Sequence, residues 1–310
     1  MRSLINNIWK GLMLGGLFLS LQAQPLSAQY RPEYPDSLNK KRLAWIVGGE
    51  AAFYIGGMSY LQWVWYKDSE RVPFHFYNDN AGYLQIDKFG HAYGAYLESY
   101  LGYHGLRKAG VSRNKALIYG GALGLFLQTP IEIFDGIYEG WGFSWGDMWA
   151  NAAGPALIVG QELLFNEQIA RFRFSFRRSA TADLANGYLG DNALESLFYD
   201  YNGHTYWLSM PINKVVLREQ LPDWLCFSVG YSANGMMGEF RNIRYYGGEW
   251  LPEVPRYRQL LFSLDIDTAR IPTRSKFLRT ILQGLAFVKI PFPTLELNTL
   301  GQPRGHWFYF

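Results

Sequence analysis

Between Arg171 and Arg178 the chain reads RFRFSFRR, with aromatic and polar residues in strict alternation. A period of two is the pattern of a strand that turns one face to each side. Before Arg171, long apolar stretches carry helical spacing. After it, alternation returns at HTYWLSMPIN (204–213), WLCFSVGYSANG (224–235), YRQLLFSLDID (257–267), PTLELNT (293–299) and HWFYF (306–310). The change of texture predicts an α+β fold, with an N-terminal helical bundle over residues 29–170 and a strand-rich antiparallel region over 171–310.

Within LCFSVGYS, Leu225, Phe227, Val229 and Tyr231 share one face, and Cys226, Ser228, Gly230 and Ser232 share the other. Large residues outside and small ones inside describe a membrane-embedded strand. They also describe any half-buried antiparallel strand. The chain reaches Phe310 in an aromatic run, as outer-membrane barrels do, yet about six candidate strands fall short of the eight that closed barrels need. The stretch PTRSKFLRTILQGLAFVKIP (272–291) has helical spacing with basic residues to one side. It reads as a helix lying on lipid headgroups or, more commonly, one covering a sheet face.

Upstream, Arg2 and Lys10 precede an apolar run, and small residues precede cleavage points at Ala23 or Ala28. This order predicts a secretory signal peptide over residues 1–28, and hence export. The one thiol, Cys226, cannot form a disulfide within the chain, and no cysteine stands near either cleavage point to carry a lipid. The formal charge of +3 is small and the cations are scattered, which argues against nucleic acid. Aromatics make up 17 % of the residues, with 22 Tyr and 11 Trp. Such side chains suit boundaries that are apolar on one side and wet on the other.

The run from Arg42 to Tyr66 is nearly all apolar, and a helix of that length rises about 36 Å, enough to cross a bilayer core or to serve as a buried bundle helix. Glu50 inside it should face protein or water. A second helix follows through IDKFGHAYGAYLESYLGYHGLRKAG, ended by Arg107, Lys108 and Gly110. Ser112 is placed to cap the next helix, which Pro130 is expected to disturb. Gly120 and Gly124 form a small face for close helix approach. Ser144 is placed to cap the last helix, where Pro155 argues for a kink or a break.

On these segments Asp87 pairs with His91, Glu132 with Asp135 and Asp147 with Asn151, each three or four residues apart and so on one helical face. All sit among Phe, Trp, Tyr, Ile and Ala. Charges in such surroundings need partners, and the cheapest are one another, so the three pairs are expected to converge. His91, Glu132 and Asp87 are the candidate catalytic groups, and Lys88, Asp135, Asp147 and Asn151 the candidate binding groups. His91 beside Asp87 could be an oriented base or a satisfied core pair. The oxygen-rich set around one imidazole would suit magnesium, calcium or manganese rather than zinc, although no compact metal motif is present. Lys88 is expected to meet a phosphate or to pair with Glu132. His104, Glu98 and Glu139 lie off the pattern and read as solvated.

The order D-K-x-x-H, then a glutamate ending an apolar helix, then D-x-x-x-N-x-x-G resembles the YfiM type of predicted periplasmic proteins and lipoproteins of unknown function, and more distantly the VanZ-like family. The matching positions are Asp87, Lys88, His91, Glu132, Asp147, Asn151 and Gly154, within roughly residues 80–165. The later strings DYNGHTYWLS and RIPTRSKFLRTILQGLAFVKIPFPTLELN look like the extended form found in Bacteroidetes-like bacteria. The resemblance implies residence in the periplasm or outer membrane of a Gram-negative bacterium, without a settled reaction. Three functions fit. The first is a cell-envelope protein that binds a lipid or glycolipid headgroup, or an envelope partner, through the polar cluster. The second is a hydrolase or transferase on a phosphorylated or glycosylated lipid, with His91 and Glu132 as acid and base. The third is a scaffold in which the cluster fixes helix register.

Overall fold

The computed structural model describes residues 34–216 and 220–310, so the expected signal peptide lies outside the described residues. The α+β expectation holds: helices fill the first half and a six-stranded antiparallel sheet follows.

Helix α1 (Lys40–Trp65) starts where Asn39 accepts a hydrogen bond from the Arg42 amide. It leans on the others through a narrow seam, with Tyr54 donating to the Leu127 carbonyl and Gln62 to the Tyr138 hydroxyl. Glu50 faces Gly105, while Trp45, Phe53 and Trp63 point outward. Helix α2 (Ile86–Lys108) is the hub of the helical half, packed between α5 (Trp145–Phe165) and the helical run from Arg113 to Asp135. That run comprises α3 (Arg113–Ala116), a π turn at Leu117–Gly121 and α4 (Leu123–Asp135). By length and composition it is the one helix among the described residues that could cross a membrane, and a third of its most apolar window is buried.

Glycine sets how closely these helices approach. A Cβ on Gly124 would stand 1.9 Å from the Ala95 carbonyl oxygen, and one on Gly154 would stand 2.4 Å from that of Ala92. Neither proline breaks its helix. Pro130 lies inside α4 and Pro155 inside α5, and the irregularity falls instead at the π turn, where Gly120 presses on Gly102. Ser112 stands before α3 without a side-chain cap bond, whereas Ser144 does cap α5, accepting from the Asp147 amide at 3.1 Å.

The sheet runs β1 (Arg171–Phe176), β2 (His204–Pro211), β3 (Leu225–Asn234), β6 (Tyr257–Ile266), β7 (Phe292–Asn298) and β8 (Arg304–Tyr309), each antiparallel to its neighbour. Short helices α6 (Ala180–Leu184), α7 (Ala193–Tyr199) and α8 (Ile212–Val215), and the hairpin β4 (Tyr245–Tyr246) with β5 (Glu249–Trp250), decorate the connections. Helix α9 (Lys276–Leu285) precedes β7.

The pleat of this sheet is inverted relative to a water-soluble one. The enclosed face carries Arg171, Arg173, Ser209, Ser228, Asp265 and Glu296, all buried. Arg173 reaches Asp265 at 3.0 Å and Asp267 at 3.4 Å, and Ser209 and Ser228 both donate to Asp265. Such a set is tolerable inside only because nearly every charge has an opposite neighbour. The other face is apolar. At β1, β2 and β3, part of it packs on α2 through Phe172, Phe174, Tyr206 and Tyr231 against Phe89, Tyr93 and Tyr96. The rest, including Leu208, Phe227, Leu260, Leu264, Leu295 and Leu297, is exposed.

Candidate functional site

The chain enters α2 through an unusual turn. Tyr83, Leu84 and Gln85 have φ of 44°, 50° and 69°, three consecutive non-glycine residues in the left-handed region. Each costs about 1–2 kcal/mol there. Three bonds from the second half hold the turn. Tyr83 N–H donates to the Glu239 carbonyl at 2.9 Å, Tyr231 donates to the Leu84 carbonyl at 2.5 Å, and Arg258 donates to Gln85 Oε1 at 2.7 Å. The turn delivers Asp87 and Lys88 to the first turn of α2, with His91 one turn on. Close packing at Gly154 brings Asp147 and Asn151 of α5 alongside, and α4 contributes Glu132 from its last turn.

The expected convergence occurs. Lys88 Nζ lies 2.7 Å from Asp147 Oδ1 and 3.2 Å from Asp87 Oδ2. His91 Nδ1 lies 3.2 Å from Asn151 Oδ1 and 3.3 Å from Glu132 Oε1, and Asn151 Nδ2 donates to Glu132 Oε1 at 3.2 Å. On the other side of the ring, Nε2 faces Asp147 Oδ1 at 3.7 Å and Asp87 Oδ1 at 3.9 Å. Asp87, His91 and Asp147 thus form a carboxylate–histidine group whose donor atoms lie within 4.8 Å of one another. Its mouth reaches solvent: the side chains of Lys88, His91 and Asp87 are 14, 17 and 22 % exposed. Its floor is sealed by Glu132 and Asn151, both fully buried, and Glu132 Oε2 has no hydrogen-bond partner.

Four placements differ from the sequence reading. Asp135 turns away to accept a hydrogen bond from Tyr66 of α1, so it braces the cluster rather than lining it. Lys88 pairs with the aspartates and not with Glu132. Among them is Asp79, which the sequence reading did not single out. It sits 2.8 Å from Lys88 Nζ and accepts from Ser144 Oγ at 2.5 Å. The only signal for it was an acidic residue within the polar run NDN, which reads as an ordinary loop. His104 and Glu98 are not solvated: His104 is buried beside Tyr34, and Glu98 accepts from Gln128. Glu139 is exposed as expected.

Burial disfavours a charged His91, but Asp87, Asp147 and Glu132 outweigh it and raise its pKa to about 9. Burial pushes Glu132 up to about 8 against the pull of His91. Burial raises Asp147 to about 7, with His91 opposing and Asp87 reinforcing. Burial lifts Asp135 to about 6 despite the Tyr66 hydrogen bond. For Asp79, hydrogen bonds from Asp147, Lys88 and Ser144 overcome burial and lower the pKa. For Lys88, the aspartates overcome burial and raise it. Four acids share the cluster with one ammonium and one imidazole, while a fifth, Asp135, stands behind. The group therefore has more acids than cations, and burial raises Glu132 and Asp147 so that both hold protons near neutrality.

No curated protein and no solved structure matches this chain. Residues 75–162, the segment that supplies every side chain of the cluster, match the family described as "Predicted periplasmic lipoprotein (DUF2279)".

Proposed function

We propose that this chain is an exported cell-envelope protein of the periplasm or outer membrane, and that its polar cluster binds a divalent cation of the magnesium, calcium and manganese class. One observation carries the reading. His91 is gripped at Nδ1 by Asn151 and Glu132 while Nε2 faces two aspartate oxygens. This is how a metal-binding imidazole is oriented, with one nitrogen fixed by an outer carbonyl or carboxylate and the other turned to the ion. The family description of the matched segment supports the location. An incoming cation would take the place of the His91 proton and relieve the excess of carboxylates. A phosphate headgroup is disfavoured, because Lys88 is already surrounded by aspartates. The hydrolase or transferase reading is less favoured, since the carboxylates around His91 raise its pKa and so work against the imidazole as a general base.

The test is titration of the purified, chelator-treated chain with Mn²⁺, followed by isothermal calorimetry and electron paramagnetic resonance. One site per chain is expected, abolished by His91→Ala and Asp147→Asn. Asn151→Ala should weaken it about 10–100-fold by loosening the ring. Circular dichroism would check that each variant is folded. Absence of a Mn²⁺, Ca²⁺ or Mg²⁺ site in the wild-type chain overturns the proposal. The second reading, a register-fixing scaffold, rests on Lys88 already serving as an internal cation, and that result would leave it in place.

A further inference from the structure

The exposed half of the sheet and helix α9 present a surface that the cation cluster does not use. Phe227, Leu260, Leu264, Leu295 and Leu297 stand between 36 and 49 % exposed on β3, β6 and β7, directly behind a buried face that carries Ser228, Ser232, Ser263, Thr294, Asp265 and Glu296. Between them lies a groove of about 550 Å³ lined mainly by Phe227, Phe262, Leu264, Pro293, Leu295 and Trp307. From Leu260 to Ile266 this band runs about 20 Å along the strand, near the height of the lipid-facing band of outer-membrane strands.

Helix α9 repeats the inversion. Phe277, Leu278, Ile281 and Leu285 fall on one stripe and are 77, 41, 42 and 49 % exposed, and no residue of the helix is buried. It therefore does not cover the sheet. Lys276 and Arg279 lie on the opposite face of the helix, and Arg274 stands just before it. An apolar stripe with cations on the opposite face is the composition of a helix lying in the plane of an anionic membrane surface.

We propose that the outer face of β3, β6 and β7, together with α9, is seated in the lipid of an anionic bilayer. A protein partner would explain exposed apolar side chains, but not a sheet whose interior is ionic and whose exterior is apolar. That inversion is the one hydrocarbon selects. Among the described residues β8 has no strand beyond it, and unpaired backbone groups cannot lie in hydrocarbon, so this edge belongs at headgroup level. Trp307, 84 % exposed on β8, suits that depth.

The experiment is flotation of the purified full chain with vesicles of phosphatidylethanolamine and phosphatidylglycerol, in parallel with vesicles of phosphatidylcholine alone. The chain should float with the anionic vesicles. The pair Leu264→Lys and Leu295→Lys should lower partitioning about tenfold or more, since lysine on a lipid face is disfavoured. Both positions are already exposed, so lysine there leaves the internal packing intact, and an unchanged circular dichroism spectrum would confirm it. The triple change Arg274→Gln, Lys276→Gln and Arg279→Gln should erase the preference for anionic vesicles. A chain that stays unbound on every vesicle overturns the proposal, as does flotation untouched by the two lysines. A stable dimer that does not float would assign the face to a second copy and overturn it equally. None of these outcomes depends on whether the cluster binds a cation.

Discussion

His104 shows what burial does to a single side chain here. It stands against Tyr34, Tyr100 and Tyr103, and burial, reinforced by Arg171, Lys108 and Arg107, lowers its pKa to about 3. His204, wrapped by Phe174, Phe176 and Tyr201, falls to about 4, also through burial. In both cases the folded value lies below the ordinary 6.5. The unfolded chain therefore binds the proton first. The stability contributed by keeping these rings neutral is full above pH 6.5 and drains away as pH falls through the folded values. Melting temperature should drop steeply on acidification below about pH 6. His104→Phe keeps the ring packing and removes the titration, so its melting curve should fall less, by an amount corresponding to on the order of 3 kcal/mol at the acid end. An acid limb identical to that of the wild type would contradict this account. The same residue marks a limit of sequence reading. His104 lies off the Asp87–His91 face, and nothing local reveals that Tyr34, seventy positions earlier, closes over it.

Among elements, the contact of α2 with α5 decides whether the cluster exists at all. Gly154 lets α5 come close enough for Asp147 and Asn151 to reach His91. With a Cβ at that position 2.4 Å from backbone atoms of both Ala92 and Tyr96, Gly154→Ala must push the helices apart. A loss of about 1–3 kcal/mol in unfolding free energy is expected by chemical denaturation, because backbone cannot rotate aside as a side chain can. A smaller change would mean that the two helices tolerate separation. The strands were legible for a simple reason. Alternation with period two is a local property, and all six expected strands take their places in the sheet. Convergence of the cluster was legible too, because the chain spaces Asp87 from His91 and Asp147 from Asn151 at one helical turn. Asp79 was not, because a loop has no periodicity to declare which way a side chain turns. Pro130 and Pro155 do not end their helices, for a related reason: local propensity allows a break, and packing on α2 keeps both helices continuous.

Across the whole molecule, the two halves are joined through the turn that enters α2. Tyr83, Leu84 and Gln85 are kept left-handed by Glu239, Tyr231 and Arg258, all from the second half. Tyr231→Phe removes the hydroxyl bond to the Leu84 carbonyl and leaves the ring against Phe89. Amide hydrogen exchange at residues 83–88 should then quicken while exchange in the middle of α5 stays as it was. Equal protection in variant and wild type would show that the turn holds itself. If exchange does quicken, the turn at residues 83–85 is a latch fixed to the sheet. Whatever tilts or loads the sheet would pull on that latch, so Asp87 and Lys88 would register events at the far side of the protein without any part of the cluster being touched.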